Sequence, residues 1–295
     1  RVPWAKAIIF VSLLLAETVT AQAQAESFTD ERGVTITLPA PARRIVSLSP
    51  ELTESLYAVG AGNSVVGVTT YCNFPAAALS LPKIGGFSAS TISIETIVSL
   101  RPDLVVGSLS AHGKLATAFE RAGLRFAAMP TRDFEAVYST LATFGRITGN
   151  SVKAEEVITS MRNRVQAVKT RTAAIPQARK PVVFWETWDE PLMSAGPGTF
   201  TGQIIEAAGG INSFADAQAD WPVVSFEALL ARKRDGIMAA ESHGAALTME
   251  PLSARPGWSA LQAVRNKKLA LLDGDIVERA GPRFGEATEM TEEVP

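Results

Sequence analysis

The chain has 295 residues, with 28 lysines and arginines against 30 aspartates and glutamates and a formal charge of −2. That near-balance offers no basic footprint for nucleic acid and no polybasic patch for a membrane surface. An apolar share of 46% argues against a disordered chain, and the length allows two lobes, each with its own core.

A single cysteine, Cys72, forbids an intramolecular disulfide and reads as a small buried hydrophobe. The only histidines are His112 and His243, too few and too distant in sequence for a histidine-rich zinc site, so no metal ligands are assigned.

Residues 1–25 have the layout of a secretory signal peptide. Arg1 and Lys6 precede an apolar run from Ala7 to Ala16, and small residues at Ala21, Ala23 and Ala25 offer cleavage near Ala23 or Ala25. The run is shorter than the roughly 20 residues a membrane span needs. No cysteine follows it, which argues against a lipid anchor, and the expected location is the periplasm.

"FTDERGVTITL" predicts a hairpin, and "IVSLS" a short buried strand followed by Ser49 and Pro50 as N-cap and first residue of a helix. Leu52, Leu56 and Val59 share one face of that helix, with Glu54 nearly opposite. "SVVGVTT" is the next strand, "SIETIVSLRP" a helix capped by Ser93, and "DLVVGS" a strand. A further helix, strand and helix complete a first lobe over 26–149. Strand–helix alternation predicts a parallel sheet.

Residues 150–176 contain no internal glycine or proline, carry Glu155 and Glu156 early and Lys169 and Arg171 late, and keep Met161, Val165 and Val168 on one side. About 24 residues at 1.5 Å each give a rod of roughly 36 Å, stiff enough to join two lobes. Alternation resumes over 177–295 with "PVVFWET", "GPGTFTGQIIEAAGG", "SFEALLARKRD", "GIMAA", "GWSALQAV", "LALLDG" and "GPRFGEATEMTE". The expected fold is therefore α/β, two lobes with mainly parallel sheets joined by one long rigid helix. No internal sequence repeat stands out.

The motifs for catalysis fail. In "GPGTFTG", Thr201 occupies the place of the third glycine of a dinucleotide fingerprint and no Lys-Ser or Lys-Thr follows, which leaves a glycine-rich turn at a ligand or a plain connection. There is no Gly-x-Ser-x-Gly elbow. His112 in "LSAHGK" reads as a solvated loop histidine. Tyr71, Phe74, Phe87, Trp185, Trp188, Phe200 and Trp221 fall at or just beyond predicted strand ends, where open α/β sheets hold their ligands. They read as an aromatic ligand wall. Glu54 and Glu227, one per lobe near the expected cleft, read either as solvated carboxylates or as two negative pegs for arginines on a partner.

Taken in order, "RIVSLSPELTESLYAVGAG", "VVGVTTYCNFP", "IGGFSASTISIETIVSLRPDLVV", "PLMSAGPGTF", "AAGGINSFAD" and "WPVVSFEALLAR" resemble the cobalamin and iron-siderophore substrate-binding proteins of ABC importers. The resemblance runs over essentially the whole chain beyond residue 25. It implies a non-enzymatic, monomeric receptor whose lobes hold the ligand between them with little hinge motion, partnered by a permease and, through it, an ATPase. It implies Glu54 and Glu227 as docking residues for the permease, and Tyr71, Phe87 and Trp221 as aromatic wall. Phe87 and Ser108 stand where a cobalamin-binding member carries tryptophans. Arg279 and Arg283 in "VERAGPR" are available as cations for a chelate, with surface salt bridges as the alternative. The ligand expected is a corrinoid or ferric siderophore, with no resident cofactor. An exported hydrolase or transferase and a divalent-metal receptor are the competing readings.

Overall fold

A computed structural model describes residues 25–232, 234–241 and 248–292. The expected signal peptide, apart from Ala25, and His243 lie outside the described residues.

The first lobe opens with an antiparallel hairpin, β1 (Glu26–Thr29) and β2 (Thr35–Leu38), turned by Gly33 at φ +78°. Its main sheet contains β3 (Ile45–Ser47), β4 (Val65–Val68), β5 (Leu104–Gly107) and β6 (Phe126–Ala128). All neighbours are parallel, in the order β4-β3-β5-β6. The helices of this lobe are α1 (Pro50–Ala58), α2 (Ile94–Ser99), α3 (Leu109–His112), α4 (Ala116–Arg121) and α5 (Phe134–Thr148). Pro50 sits at the first turn of α1, where its missing N–H leaves no hydrogen bond unmade.

The connecting helix α6 (Ser151–Thr172) has 22 residues, about 33 Å of continuous rod. Ala154, Ile158, Met161, Val165, Val168 and Thr172 make its buried stripe, at alternating spacings of four and three. It ends a few residues before Pro176, in a turn where the Ile175 N–H donates to the Thr172 carbonyl. Gly149, at φ +77°, closes α5 in the left-handed conformation and lets the chain reverse directly into α6.

The second lobe carries β7 (Val182–Glu186), β10 (Ile211–Asn212), β11 (Gly236–Ala240) and β12 (Leu269–Leu272) in the order β10-β7-β11-β12, again all parallel. A small antiparallel hairpin, β8 (Trp188–Asp189) and β9 (Leu192–Met193), stands beyond β7. The helices are α7 (Phe200–Ala207), α8 (Phe226–Ala231), α9 (Met249–Ala254), α10 (Gln262–Arg265), α11 (Gly274–Val277) and α12 (Phe284–Glu292). In each lobe the main strands stand in the spatial order second, first, third, fourth. Each sheet therefore has one switch point, between its first and third strands.

The cores differ from the expectation of one per lobe. The outer faces have separate clusters, around Val46, Ile97 and Phe119 in the first lobe and Phe184, Leu229 and Trp258 in the second. The inner faces merge into one cluster that includes Leu104, Leu141, Met161, Ile204 and Phe284. The reason is the shared helical layer: α5, α6 and α12 lie side by side, and Phe134 of the first lobe stacks on Phe284 of the second at 4.2 Å between ring centres. Arg164–Glu289 and Arg171–Glu292 ion pairs add to the α6–α12 contact.

Candidate ligand cleft

The carboxyl ends of the strands in both sheets face one cleft of about 540 Å³. From the first lobe come Glu51, just after β3, Ser108 to Ser110, just after β5, and Thr131 and Arg132 after β6. The second lobe supplies Thr199 to Thr201 at the start of α7, Asp220 and Trp221, and Glu278 and Ala280 after α11. Two rings stand in the wall with substantial exposure, Phe87 at 39% and Trp221 at 45%, one from each lobe. Across the cleft, Arg132 donates to both carboxylate oxygens of Asp220 at 3.0 and 2.7 Å.

Phe87 is fixed from behind by His112. The buried imidazole accepts the Ser108 N–H at Nδ1 (3.1 Å), so Nε2 carries the proton and donates to the Phe87 carbonyl at 2.9 Å. The two rings meet edge to face at 5.3 Å. His112 is thus not the solvated loop histidine expected. It is fully buried, both nitrogens are engaged, and burial holds its pKa below the ordinary value. Burial also pushes the carboxyls of Glu51 and Glu31 upward. For Glu51 the Ser49 side chain, its own backbone N–H and, after them, the positive charge of Arg279 oppose the shift, and for Glu31 a hydrogen bond from the Leu109 N–H does so.

The other residues singled out in the sequence are not all at this cleft. Phe200 reaches its lining, but the residue is only 4% exposed and its ring packs edge to face on Phe134 and Phe284. Trp185 is core. Tyr71, Phe74 and Trp188 are exposed yet absent from the lining, Phe74 lying under the Arg283 guanidinium at 4.4 Å and Trp188 donating its indole N–H to the Glu190 carbonyl. Cys72 is buried against the Thr53 and Thr69 hydroxyls.

Glu54 requires a correction. Its side chain is 1% exposed and grips two arginines of the opposite lobe, Arg279 at 2.8 Å and Arg283 at 2.7 Å. A partner's arginine has no access to it, and Arg279, engaged as well by Asn73 and Asp275, is an inter-lobe tie and not a cation offered to a ligand. On α1 the face opposite the leucines is covered by the second lobe, which a single-helix pattern does not reveal.

The first-lobe counterpart of Glu227 is Glu95, which sequence reasoning passed over. "SIETIVSLRPD" and "SFEALLARKRD" share Ser, Glu and Asp at identical spacing, and each leads into the third strand of its sheet. Ser93 and Ser225 cap their helices, with Glu95 and Glu227 exposed in the first turn. Asp103 and Asp235 each tie back to the start of the first strand, accepting from the Arg44 and Val182 N–H groups at 2.9 Å. The Glu227 carboxyl is held below the usual range by its own backbone N–H and the Ser225 hydroxyl. Because both helices run toward the beginnings of third strands, their first turns lie on the cleft edge of the molecule. The internal repeat was present in the sequence and is the signal that identifies the pair.

Among the described residues no three His, Cys, Asp or Glu side chains converge to hold a metal ion, and no helix is long and apolar enough to cross a membrane.

A family model described as "Periplasmic binding protein" matches residues 45–276. The ABC transporter substrate-binding lipoprotein YvrC of Bacillus subtilis is 29% identical over 259 residues, 86% of this chain and 80% of its own. The vitamin B12-binding protein of Vibrio cholerae is 28% identical over 254 residues, covering 85% of this chain and 88% of its own. Among solved structures, the periplasmic heme-binding protein RhuT from Roseiflexus, in apo form, aligns with a TM-score of 0.73 and 27% identity, over 86% of this chain and 99% of that one.

Proposed function

Because the chain belongs to the periplasmic binding protein family, we propose that it is the substrate-binding component of an ABC importer, carrying a corrinoid or an iron chelate to its permease. The observation that carries this reading is the cleft itself. Two parallel sheets aim their ligand-binding edges at one cavity, with an exposed ring from each lobe, Phe87 and Trp221, on its walls. Flat macrocycles or aryl chelates suit such walls, and the relatives whose names specify vitamin B12 and heme support that class.

Chemistry on the ligand finds no support in the cleft. The histidine near it has both nitrogens committed to backbone groups and cannot serve as a base. Export to the periplasm through the segment 1–25 and action as a monomer complete the reading. Delivery runs through the exposed carboxylates of Glu95 and Glu227, one per lobe, meeting cations on the permease, which couples to its ATPase.

Trp221 provides the test. Titration with cobalamin, cobinamide, heme and a ferric siderophore is expected to quench tryptophan fluorescence for at least one ligand, and Trp221→Phe is expected to remove most of that quench. Absence of any binding across the four would defeat the proposal.

A further inference from the structure

Arg132 is the one basic residue among the described residues that line the cleft. It meets Asp220 with one edge of its guanidinium, Nε donating to Oδ2 at 3.0 Å and Nη2 to Oδ1 at 2.7 Å. A guanidinium carries five N–H donors in a planar fork. The second edge, formed by Nη1 and the remaining N–H of Nη2, makes no hydrogen bond among the described residues. The side chain is 56% exposed, so that edge is reachable from the cleft.

Both ends of the pair stand on fixed backbone. The Asp220 carbonyl accepts the Gly196 N–H at 2.7 Å, and the Pro222 carbonyl accepts the Ser194 N–H at 3.1 Å. On the first lobe the Thr140 hydroxyl donates to the Pro130 carbonyl at 2.7 Å, and Asp133 caps α5 by accepting the Ala136 N–H at 2.9 Å. Gly198 leaves the room that the guanidinium fills, since a Cβ there would stand 2.5 Å from Nη2. Trp221 follows Asp220 directly, so the exposed ring and the open guanidinium edge serve one cavity. Burial pushes Glu51 and Glu31 toward their neutral forms, which weakens their repulsion of an entering anion.

We infer that Arg132 is a preset anion clamp: its open edge takes a carboxylate on the rim of the chelate through two parallel N–H···O bonds, while Asp220 holds the first edge in place. The two oxygens of a carboxylate match the fork, whereas an amide presents it one acceptor and an ester carries no charge. A lysine at this position would keep the charge and lose the fork. The inference rests on the receptor reading and deepens it, from a flat chelate gripped by Phe87 and Trp221 to one with an acidic group at its rim.

The test measures equilibrium binding of two matched sets. One is heme against its dimethyl ester; the other is the monocarboxylic acids of cyanocobalamin, each with one rim amide hydrolysed, against cyanocobalamin itself. In the macrocycle that the protein binds, an acid is expected to bind about tenfold more tightly than its uncharged counterpart, the scale of one charge-assisted hydrogen bond. Among the corrinoid acids one such isomer is enough, because only the group that faces Arg132 gains. In Arg132→Gln and in Arg132→Lys the advantage is expected to shrink to within about twofold. Acids that bind no better than their amide or ester counterparts on the unmodified protein, or an advantage kept in Arg132→Lys, would overturn the clamp and leave the receptor reading standing. No binding by either set would also overturn the clamp, and the receptor reading falls only if the titration that tests it fails as well. The comparison of acid with ester or amide uses the unmodified chain, so it decides the matter even if a variant misfolds.

Discussion

His112 couples a proton to the wall of the cleft. A second proton would go to Nδ1, the atom that accepts the Ser108 N–H, and would put two donors face to face. Burial lowers the folded-state pKa below the ordinary 6.5, so below about that pH the unfolded chain takes up a proton that the folded chain refuses. Stability from this site is therefore complete above the unfolded value and is lost as pH falls through it. The expected outcome is a melting temperature that declines on acidification below pH 6.5 more steeply in the unmodified protein than in His112→Gln. Equal slopes in the two proteins would show that the imidazole does not couple.

Glu54 makes the second prediction at this scale. Glu54→Gln leaves two largely enclosed guanidiniums without their carboxylate, and loss of one partner from such a buried pair costs about 3–5 kcal/mol. Because both arginines retain some exposure, the lower end is expected in urea unfolding. Glu95→Arg with Glu227→Arg should instead lower stability only slightly, through the favourable helix-start placement each carboxylate gives up, and stop transport, with ligand affinity within about twofold. Transport retained, or ligand binding lost, in that double variant would contradict the assignment. The sequence could not reveal the burial of Glu54, since its arginines lie 225 and 229 residues away. The Ser-x-Glu repeat around Glu95 and Glu227 could have been found by comparing the two halves.

The elements were legible where burial writes a plain pattern. Main strands such as β5 and β11 appear as short apolar runs, since parallel strands are covered on both faces. α6 appears as a long stretch without breakers. The two-residue strands β8, β9 and β10 exist through tertiary pairing alone and leave no local trace. Where α5 meets α6, one glycine governs the approach: a Cβ on Gly145 would stand 2.4 Å from the Ala154 Cβ and 3.2 Å from the Asn150 carbonyl oxygen. Gly145→Val is expected to destabilise the protein by about 1–3 kcal/mol in urea unfolding, the range for overpacked cores. An unchanged midpoint would mean that the helices separate without cost.

On the scale of the whole molecule, the continuous inner core sets how far the lobes can move. Opening the cleft would have to separate Phe134 from Phe284 and Phe200 and pull Arg279 and Arg283 from Glu54. Spin labels placed at the exposed positions Glu120 and Arg265, one per lobe, are expected to show a distance change under about 2 Å on ligand binding. A change near 10 Å would mean that the shared core parts, as in hinge closure of separate domains. The long helix made two lobes legible in the sequence. Their fusion was not, because the contacts join residues such as Phe134 and Phe284 from opposite ends of the chain.

The matching strand order of the two sheets, and the matching Ser-Glu-Asp helices that precede their third strands, give this chain an approximate dyad. A protein assembled from two identical subunits could then dock on it with the same basic socket used twice, once on each lobe. Residues that differ between the lobes, Ile94 against Phe226 beside the two glutamates among them, would then decide which way round the cargo is presented.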